Sequence, residues 1–425
     1  MRTLIIILSA IFMISSALAQ DEAALIISRD ESRKIRAELI RRETKELRLS
    51  TYIFDLDEVG KETLGLLADA AQRGVKVQVS VDGLFTSLPK NYAVLKALKA
   101  SGVEVKLYNP IFRNAISANY RNHMKSMIGT NFLIVGDRNI NAHYYKRNSE
   151  VPFMGMDVLV RGDQVNVAAK HFDEVYAASQ MKPEGSVFVS KEKTNAAILE
   201  LNQWRDQAVA KHVINTPRIL KDNKTIVPDE VRYVADLPEG KFNKNQNGLH
   251  VKFLDMINRA TTSLEFSNPY ILFPPDTKAA IKAAIDRGVK VKLNTNSVRT
   301  NDNHLMAMAW DVHKDEIIAM GIEVNEVKDG NFLHAKTVIK DADEVFIGSF
   351  NLDPRSKNLN LENGVFIKSK KMADTLLNYN RRLEKYFMTR AEKVVPTNVP
   401  LNQKMSNCVK KGLRKFVVGV MYRAL

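Results

Sequence analysis

Cysteine is almost absent from this chain of 425 residues, because Cys408 is the only one in the sequence. A single thiol cannot form an intrachain disulfide, and it cannot build a cysteine-based metal site. Long apolar runs are missing as well, since no segment after residue 19 is apolar enough to span a bilayer. The chain must therefore be stabilised by its packed core, and its length suits two domains of ordinary size.

Acidic residues are outnumbered by basic ones, with 48 Asp and Glu against 63 Lys and Arg, which gives a formal net charge of +15. An excess of positive charge favours an anionic partner, such as lipid head groups, nucleic acid or a polymer of the bacterial envelope. Net charge alone does not choose among these three classes of partner.

Acidic residues are missing altogether from residues 396–425, which contain six Lys or Arg. Apolar residues such as Leu413 and Phe416 recur there at helical spacing, and basic residues such as Lys410 and Arg414 lie largely on the other side. An apolar face opposite a basic face is the signature of an interfacial helix. We expect this basic amphipathic tail to make a peripheral contact with anionic membrane, with docking on the chain's own body as the alternative.

Residues 1–19 contain the parts of a secretory signal: Arg2 at the start, a short apolar core over Leu4–Met13, and the small residues of Ala17–Ala19 at a cleavage site. A membrane anchor is the alternative, but the apolar core is too short for a good span. No cysteine lies near the cleavage site, which argues against lipoprotein processing. We therefore predict an exported protein, either periplasmic or secreted.

The side chains best suited to chemistry are His334 and Lys336, which are followed by Ser349, Asn351 and Glu362. Residues two apart on a strand point to the same face, so an imidazole and an ammonium group would lie side by side. Imidazole can attack phosphorus or transfer a proton, and ammonium can neutralise phosphoryl oxygens. Ser349 and Asn351 would add neutral donors to a phosphate, and Glu362 would hold the His334 ring in one tautomer.

The same motif occurs earlier in the chain, where His123 and Lys125 are followed by Asn139. Each copy is preceded by the same five residues, Arg-Gly-Val-Lys-Val, at positions 73–77 and 287–291. Self-similarity at a fixed offset indicates a duplicated domain, so each half of the chain is predicted to carry one half of a site.

These motifs resemble those of the phospholipase D superfamily, and most of all those of two-repeat enzymes such as the bacterial cardiolipin synthases. The family motif is His-x-Lys-x4-Asp, then Gly-x-x-Asn, then a carboxylate. The second copy matches it in full, with Asp341 as the motif Asp. The first copy has Thr130 at that position and Asp137 within the Gly-x-x-Asn turn. We interpret Thr130 as a change in a loop, and we expect Asp137 to point away from the site.

The resemblance implies an α/β fold of two phospholipase D-like domains related by a pseudo-twofold axis, each a mixed β-sheet flanked by helices. The alternation of apolar strands and amphipathic helices indicates the same class. We assign residues 20–180 to the first repeat, 181–247 to a linker with inserted loops, 248–395 to the second repeat and 396–425 to the tail. Residues 22–45 are predicted to be helical.

By the same resemblance, His123 is the nucleophile that forms a phosphohistidine, and His334 is the acid and base. Asp157 would orient His123, as Glu362 would orient His334. Four further side chains would bind the phosphoryl oxygens: Lys125, Lys336, Asn139 and Asn351. No metal and no other cofactor is expected, because two lysines supply the positive charge that a metal ion would provide.

The predicted substrate is a phospholipid phosphodiester, which is either hydrolysed or exchanged with a lipid alcohol. A secreted nuclease or another metal-independent phosphodiesterase is the alternative, with nucleic acid as its substrate. A catalytically inactive envelope protein that only binds is the third interpretation. Nucleases of the superfamily are often short chains with one motif copy, so two copies in one chain favour the lipid substrate. We expect a monomer.

Overall fold

The computed structural model describes residues 21–84, 87–110, 119–146, 151–179, 189–213, 225–238, 248–328 and 330–392, together with Gly412. The predicted signal segment, and the predicted basic tail apart from Gly412, lie outside these residues. Within the described ranges, no helix combines the length and the apolar character needed to cross a membrane.

Short strands make up the sheets of both halves. In chain order the strands are β1 (Glu22–Ile26), β2 (Glu46–Thr51), β3 (Lys76–Asp82), β4 (Val103–Tyr108), β5 (Arg121–Asn122), β6 (Ser126–Ile128), β7 (Leu133–Gly136), β8 (Phe153–Met154), β9 (Asp157–Arg161), β10 (Glu230–Ala235), β11 (Ser263–Ser267), β12 (Lys290–Asn296), β13 (Glu323–Val327), β14 (Phe332–Leu333), β15 (Thr337–Lys340), β16 (Glu344–Gly348), β17 (Asn360–Leu361), β18 (Asn363–Lys368) and β19 (Met388–Arg390).

Helices connect the strands and cover the sheets. In chain order they are α1 (Arg29–Arg42), α2 (Glu58–Gln72), α3 (Tyr92–Ala100), α4 (Ala142–Tyr145), α5 (Gln164–Ala178), α6 (Lys191–Lys211), α7 (Gly248–Asn258), α8 (Pro275–Asp286), α9 (His304–Ala319), α10 (Pro354–Asn358) and α11 (Lys370–Phe387).

Each half contains one mixed sheet, and the two sheets share a strand order. The first sheet runs β1-β9-β7-β6-β2-β3-β4, and the second runs β10-β18-β16-β15-β11-β12-β13-β19. In both, three parallel strands joined by helical crossovers are followed by three antiparallel strands. The predicted fold class, two α/β repeats with mixed sheets flanked by helices, is confirmed.

The repeated Arg-Gly-Val-Lys-Val sequence ends a helix and starts a strand in each half. Gly74 and Gly288 have φ angles of 91° and 90°, the left-handed conformation that stops a helix at low steric cost. Alternate apolar residues of the following strands then enter the core, namely Val77 and Val79 of β3 and Val291 and Leu293 of β12. The sequence repeat thus corresponds to the same helix-to-strand turn in each half.

The two halves share apolar packing. One buried cluster contains Val135 and Val158 from the first sheet together with Ile347 and Val365 from the second. Two pairs of short strands also cross between the halves, because β5 pairs in parallel with β17 and β14 pairs in parallel with β8. These reciprocal crossings follow the pseudo-twofold relation and bring the two motif copies to the boundary between the halves.

The region predicted as a linker with inserted loops is more regular than expected where the structure describes it. Helix α6 packs against α2 so closely that a Cβ on Gly65 would lie 2.5 Å from the carbonyl oxygen of Trp204. Strand β10 pairs with β18 at the edge of the second sheet. These described parts of residues 181–247 therefore extend the two halves.

The prediction that residues 22–45 are wholly helical is wrong at its start. Residues 22–26 form β1, which pairs antiparallel with β9 at the edge of the first sheet. Helix α1 begins after Ser28, whose hydroxyl accepts the backbone N–H of Glu31. The sheet edge binds the first segment because its backbone groups need partners, and helical propensity then decides only the part after the cap.

Candidate active site

Both His-x-Lys motifs lie in the short connections between two strands, rather than within one strand as the sequence predicts. The first follows β5 and precedes β6, and the second follows β14 and precedes β15. Each motif is anchored to the opposite half, because the N–H of His123 donates to the carbonyl of Leu361 at 3.0 Å and that of His334 to the carbonyl of Met154 at 2.9 Å. The strand crossings thus place each histidine next to residues of the other repeat.

The crossing of β5 with β17 places Glu362 beside His123. The Glu362 carboxylate oxygens lie 2.9 and 3.0 Å from Nδ1 of His123. The predicted pairing of Glu362 with His334 is therefore wrong, since the carboxylate of the second motif holds the histidine of the first. The pairing of strands between the two halves cannot be predicted from the sequence of either repeat alone.

Glu362 is fully buried and held by several hydroxyl and amide donors. The hydroxyl of Ser349 donates to Oε2 of Glu362, and the hydroxyl of Ser356 donates to Oε1 at 2.7 Å. Burial raises the pKa of Glu362, but the nearby His123 and Lys125 and these hydrogen bonds outweigh it and lower the pKa. The carboxylate is thus ionised and suited to accept Nδ1–H of His123. Ser349, predicted as a phosphate donor, supports this carboxylate.

The His334 ring has a different set of neighbours. Its Nε2 lies 3.0 Å from the hydroxyl of Tyr144, and the ring stacks on Phe153 at 5.6 Å between centroids. The ammonium nitrogen of Lys336 is 3.0 Å from both ring nitrogens. Burial, followed by the charges of Lys336 and Lys125, lowers the pKa of His334 well below its usual range. The ring is therefore neutral in the unliganded site.

A carboxylate also faces His334, and it belongs to Asp137. Its Oδ2 lies 3.6 Å from Nδ1 of His334, and its Oδ1 accepts the N–H of Met156 at 3.0 Å. The expectation that Asp137 points away from the site is wrong. Burial raises the pKa of Asp137 to about 7, against the opposing effect of Lys336 and Arg138.

Asp157 lies apart from both histidines. Its Oδ2 accepts hydrogen bonds from Arg138 at 2.7 Å and from Ser32 and Arg36 at 2.9 Å each. Burial raises its pKa, but the two guanidinium groups lower it overall. Asp157 joins β9 to helix α1, and the prediction that it orients His123 is wrong because that position is filled by Glu362.

The two motif lysines occupy equivalent positions. Nζ of Lys125 donates to the carbonyl of His123 at 2.6 Å, and Nζ of Lys336 to the carbonyl of His334 at 2.7 Å. Burial lowers the pKa of Lys336 to about 8 and that of Lys125 well below its usual range, while Glu362 and Asp137 act in the opposite direction. The charges of both lysines also lower the pKa of each histidine, which places all four groups at one centre.

The two motif asparagines are buried, and their contacts differ. The amide of Asn139 accepts the N–H of Ile53 at 3.1 Å and donates to the hydroxyl of Tyr144 at 2.9 Å. In the described part of the chain, the side-chain oxygen of Asn351 has no hydrogen-bond partner. Asn139 thereby fixes Tyr144 beside His334, whereas the side-chain oxygen of Asn351 remains available as a hydrogen-bond acceptor.

The two residues at the motif Asp position stabilise loops outside the site. Asp341 accepts the backbone N–H groups of residues 261–263 at 2.7 to 3.1 Å. In the first copy, the N–H and the hydroxyl of Thr130 donate to Glu43 at 2.9 and 2.7 Å. Glu43 also accepts the N–H groups of Thr44 and Lys45, so it supplies the carboxylate that Asp341 supplies in the second half.

Sequence reasoning missed Tyr144 and Ser356, which contact His334 and Glu362 respectively. A signal was present, because each residue follows the motif asparagine by five positions and lies within a short helix there. The residue types differ, so the match becomes visible only after the two halves are aligned through their sheets. In the described ranges, no group of three or more His, Cys, Asp or Glu is arranged to hold a metal ion.

Comparison with known proteins agrees with this architecture. The family model described as "Cardiolipin synthase, PLD-like domain" matches residues 37–175 and again residues 253–384. Cardiolipin synthase C of Escherichia coli is 27% identical over 365 residues, which cover 76% of this chain and 76% of that protein. A cardiolipin synthase of Clostridium perfringens is 26% identical over 341 residues, which cover 79% of this chain and 65% of that protein.

A solved structure extends the likeness in fold to nearly the whole chain. The phosphatidylserine synthase of Haemophilus influenzae superposes with a TM-score of 0.69 at 16% identity, covering 95% of each chain. The two matches to the family model together span more than half of the residues, and they fall on the two repeats that contain His123 and His334. The chain therefore belongs to the phospholipase D-like family of the cardiolipin synthase domain, with two copies of that domain.

Proposed function

We propose that the chain transfers or hydrolyses the phosphodiester of phospholipid head groups through a phosphohistidine intermediate. The observation that carries the proposal is the meeting of two buried His-x-Lys motifs, one from each half, at one centre. Two imidazoles allow one ring to attack phosphorus while the other transfers protons. Two ammonium groups stabilise the charge on the phosphoryl oxygens in the transition state.

His123 is the nucleophile in this proposal. Its Nδ1 is held at 2.9 Å by the ionised carboxylate of Glu362, which leaves Nε2 to attack phosphorus. Burial lowers the pKa of His123 to about 4, so the ring is neutral and carries a free lone pair at neutral pH. The new bond joins Nε2 of His123 to phosphorus, and the bond from phosphorus to the leaving alcohol breaks.

His334 transfers the protons. It donates a proton from Nε2 to the leaving alcohol oxygen, and it later accepts the proton of the incoming water or lipid alcohol as that oxygen displaces His123. The charges of Lys336 and Lys125 oppose a proton on this ring in the free site. A bound phosphodiester carries a negative charge that offsets them, so substrate binding raises the pKa of His334 towards the range that acid catalysis needs.

Lipid is favoured as the substrate class by the family. The relatives at 26 to 27% identity are named cardiolipin synthases. The test is to incubate the purified protein with phosphatidylglycerol vesicles and, separately, with DNA, and to identify the products by mass spectrometry. Release of glycerol or formation of cardiolipin is expected. Cleavage of DNA with intact lipid would overturn the lipid assignment.

We also propose that the protein is exported and contacts anionic membrane through residues 396–425. The signal-like residues 1–19 and the acid-free tail support this proposal from the sequence alone. Each basic residue near an anionic surface contributes about 1 kcal/mol to binding. Vesicle co-sedimentation with and without residues 397–425 tests the contact: a folded truncated protein that binds phosphatidylglycerol vesicles as well as the intact protein would overturn it.

A further inference from the structure

The sheet registers align the two halves residue by residue around the site. Gly136 pairs with Asp157 between β7 and β9, and Gly348 pairs with Gly364 between β16 and β18. Asp137 directly follows Gly136, and Ser349 directly follows Gly348, so these two residues correspond. Glu362 lies two residues before Gly364, so its equivalent lies two residues before Asp157, at position 155, and that residue is a glycine.

Position 155 is where the pseudo-symmetry would place a carboxylate for His334. The crossing of β5 with β17 leads directly to the contact of Glu362 with His123. The crossing of β8 with β14 brings position 155 beside His334 in the same way, since Met154 accepts the N–H of His334. Because residue 155 is a glycine, the end of this strand has no carboxylate side chain.

The Asp137 carboxylate occupies the space that a side chain at position 155 would need. A Cβ on Gly155 would lie 2.4 Å from Oδ1 of Asp137 and 3.0 Å from Oδ2. In the second half the arrangement is reversed, with a small hydroxyl at position 349 and a long acid at position 362. The second half therefore has Ser349 and Glu362 at the two positions where the first half has Asp137 and Gly155.

The contacts of Asp137 leave one oxygen directed at His334. Oδ1 accepts the N–H of Met156, whereas Oδ2 is buried, has no hydrogen-bond partner in the described part of the chain, and lies 3.6 Å from Nδ1 of His334. On the other side of the ring, the Tyr144 hydroxyl receives a hydrogen bond from Asn139 and lies 3.0 Å from Nε2. The Lys336 ammonium lies 3.0 Å from both ring nitrogens and favours neither, so we assign the Tyr144 proton to Nε2 and the ring proton to Nδ1, which faces Asp137.

We propose that Asp137 is the positioning residue for His334 and replaces the carboxylate that is missing at position 155. The role rests on the proposed function. The carboxylate attracts Nδ1–H electrostatically across 3.6 Å and so keeps Nε2 as the atom that exchanges protons with the alcohols. When Nε2 takes the proton of the incoming alcohol, the Asp137 charge stabilises the imidazolium, and the proton returns to the next leaving oxygen.

The first test compares Asp137→Ser, Asp137→Asn and the double variant Asp137→Ser with Gly155→Glu, which rebuilds the arrangement of the second half. Each single variant is expected to lower kcat about 100-fold or more with little change in KM. The double variant is expected to recover at least tenfold over Asp137→Ser. Folded single variants with kcat within threefold of the unmodified protein would overturn the proposal.

The second test needs no substrate, so it separates this inference from the proposed function. Nitrogen-15 NMR of histidine-labelled protein reports the tautomer and pKa of His334, with His334→Ala used to assign the signal. The Nδ1–H tautomer is expected in the unmodified protein and a mixture of tautomers in Asp137→Asn. The same tautomer and pKa in both would overturn the positioning role. A shifted signal in a protein that acts on no phosphodiester would support the role and reject the proposed function.

Discussion

Glu362 and His123 lie 2.9 Å apart although 239 residues separate them in the sequence. The carboxylate of one half thus fixes the tautomer of the histidine in the other half. Neither repeat contains a complete catalytic pair by itself, because the pairs form only where β5 crosses β17 and β8 crosses β14. Duplication has produced one site shared by two half-sites.

Both histidines and their shared arrangement should be needed for activity. Replacing His123 or His334 by Ala is expected to lower kcat by several orders of magnitude, because the nucleophile and the proton donor act as a unit. Glu362→Gln keeps the shape of the side chain and removes its charge, so a loss of about 100-fold or more is expected. The measurement is turnover of a soluble phosphodiester and of phosphatidylglycerol vesicles.

Thermal unfolding of each variant, followed by circular dichroism, separates a lost catalyst from a lost fold. Glu362→Gln also replaces one of the two carboxylate oxygens that accept serine hydroxyl groups with an NH2 group, so its melting temperature must be recorded beside its rate. Full activity of His123→Ala or His334→Ala on any phosphodiester would contradict the shared site.

Activity should survive treatment with EDTA. The proposed phosphate ligands are Lys and Asn side chains, and the two lysines supply the charge that stabilises phosphoryl oxygens. A rate within twofold of the untreated protein is expected on a soluble phosphodiester, which removes any effect of metal ions on lipid packing. Loss of activity in EDTA that a single added metal ion restores would argue against this mechanism.

In the first half, the carboxylate that stabilises the loop after the motif is at position 43, whereas the motif places it at position 130. Thr130 donates to Glu43, whereas Asp341 in the second copy is itself the acceptor. Thr130→Asp therefore sets two carboxylates against each other, and we expect it to lower the free energy of unfolding by about 1–2 kcal/mol. The double variant with Glu43→Ala is expected to recover part of that loss, since it copies the second half.

Catalysis should be tolerant of these loop variants, because neither side chain contacts the motif histidines or lysines. Activity of Thr130→Asp is expected to change less than tenfold, while denaturant unfolding of the single and double variants measures their coupling. A fall in kcat as large as that of His123→Ala would show that this segment belongs to the site.

The sequence was sufficient to predict the duplication, the fold class and the four side chains of the two His-x-Lys motifs. Those features are local, since the motif spacing and the Arg-Gly-Val-Lys-Val turn lie within single repeats. The partner of each histidine was predicted wrongly because it comes from the other half. Strand register between two halves depends on packing that no single repeat encodes.

The roles of the acids depended on details that lie outside their own motifs. Asp157 matched the expected residue type, but it lies two residues past the position equivalent to Glu362, and Arg36 and Arg138 pair with it. Asp137 turns inward because Gly155 leaves room for it, a volume that is visible only once β7 and β9 are paired. Side-chain direction at these turns was therefore decided by neighbours that are distant in the chain.

For a soluble phosphodiester whose leaving group needs no proton, such as a nitrophenyl ester, the pH dependence of kcat/KM should show a plateau between about pH 5 and pH 8, because formation of the phosphohistidine then requires neither the proton of His334 nor the charge of Asp137, whose pKa is about 7. Burial lowers the pKa of His123 to about 4, so the nucleophile stays neutral until the pH falls towards that value, well below the usual 6.5 of imidazole. Burial also lowers the pKa of Lys336 to about 8, so the phosphate loses this positive charge as the pH rises above it. Because kcat/KM reports the free enzyme, both limbs should appear in its profile on a soluble phosphodiester. An acid limb near pH 6.5, or full activity at pH 10, would contradict the assignment of these two groups.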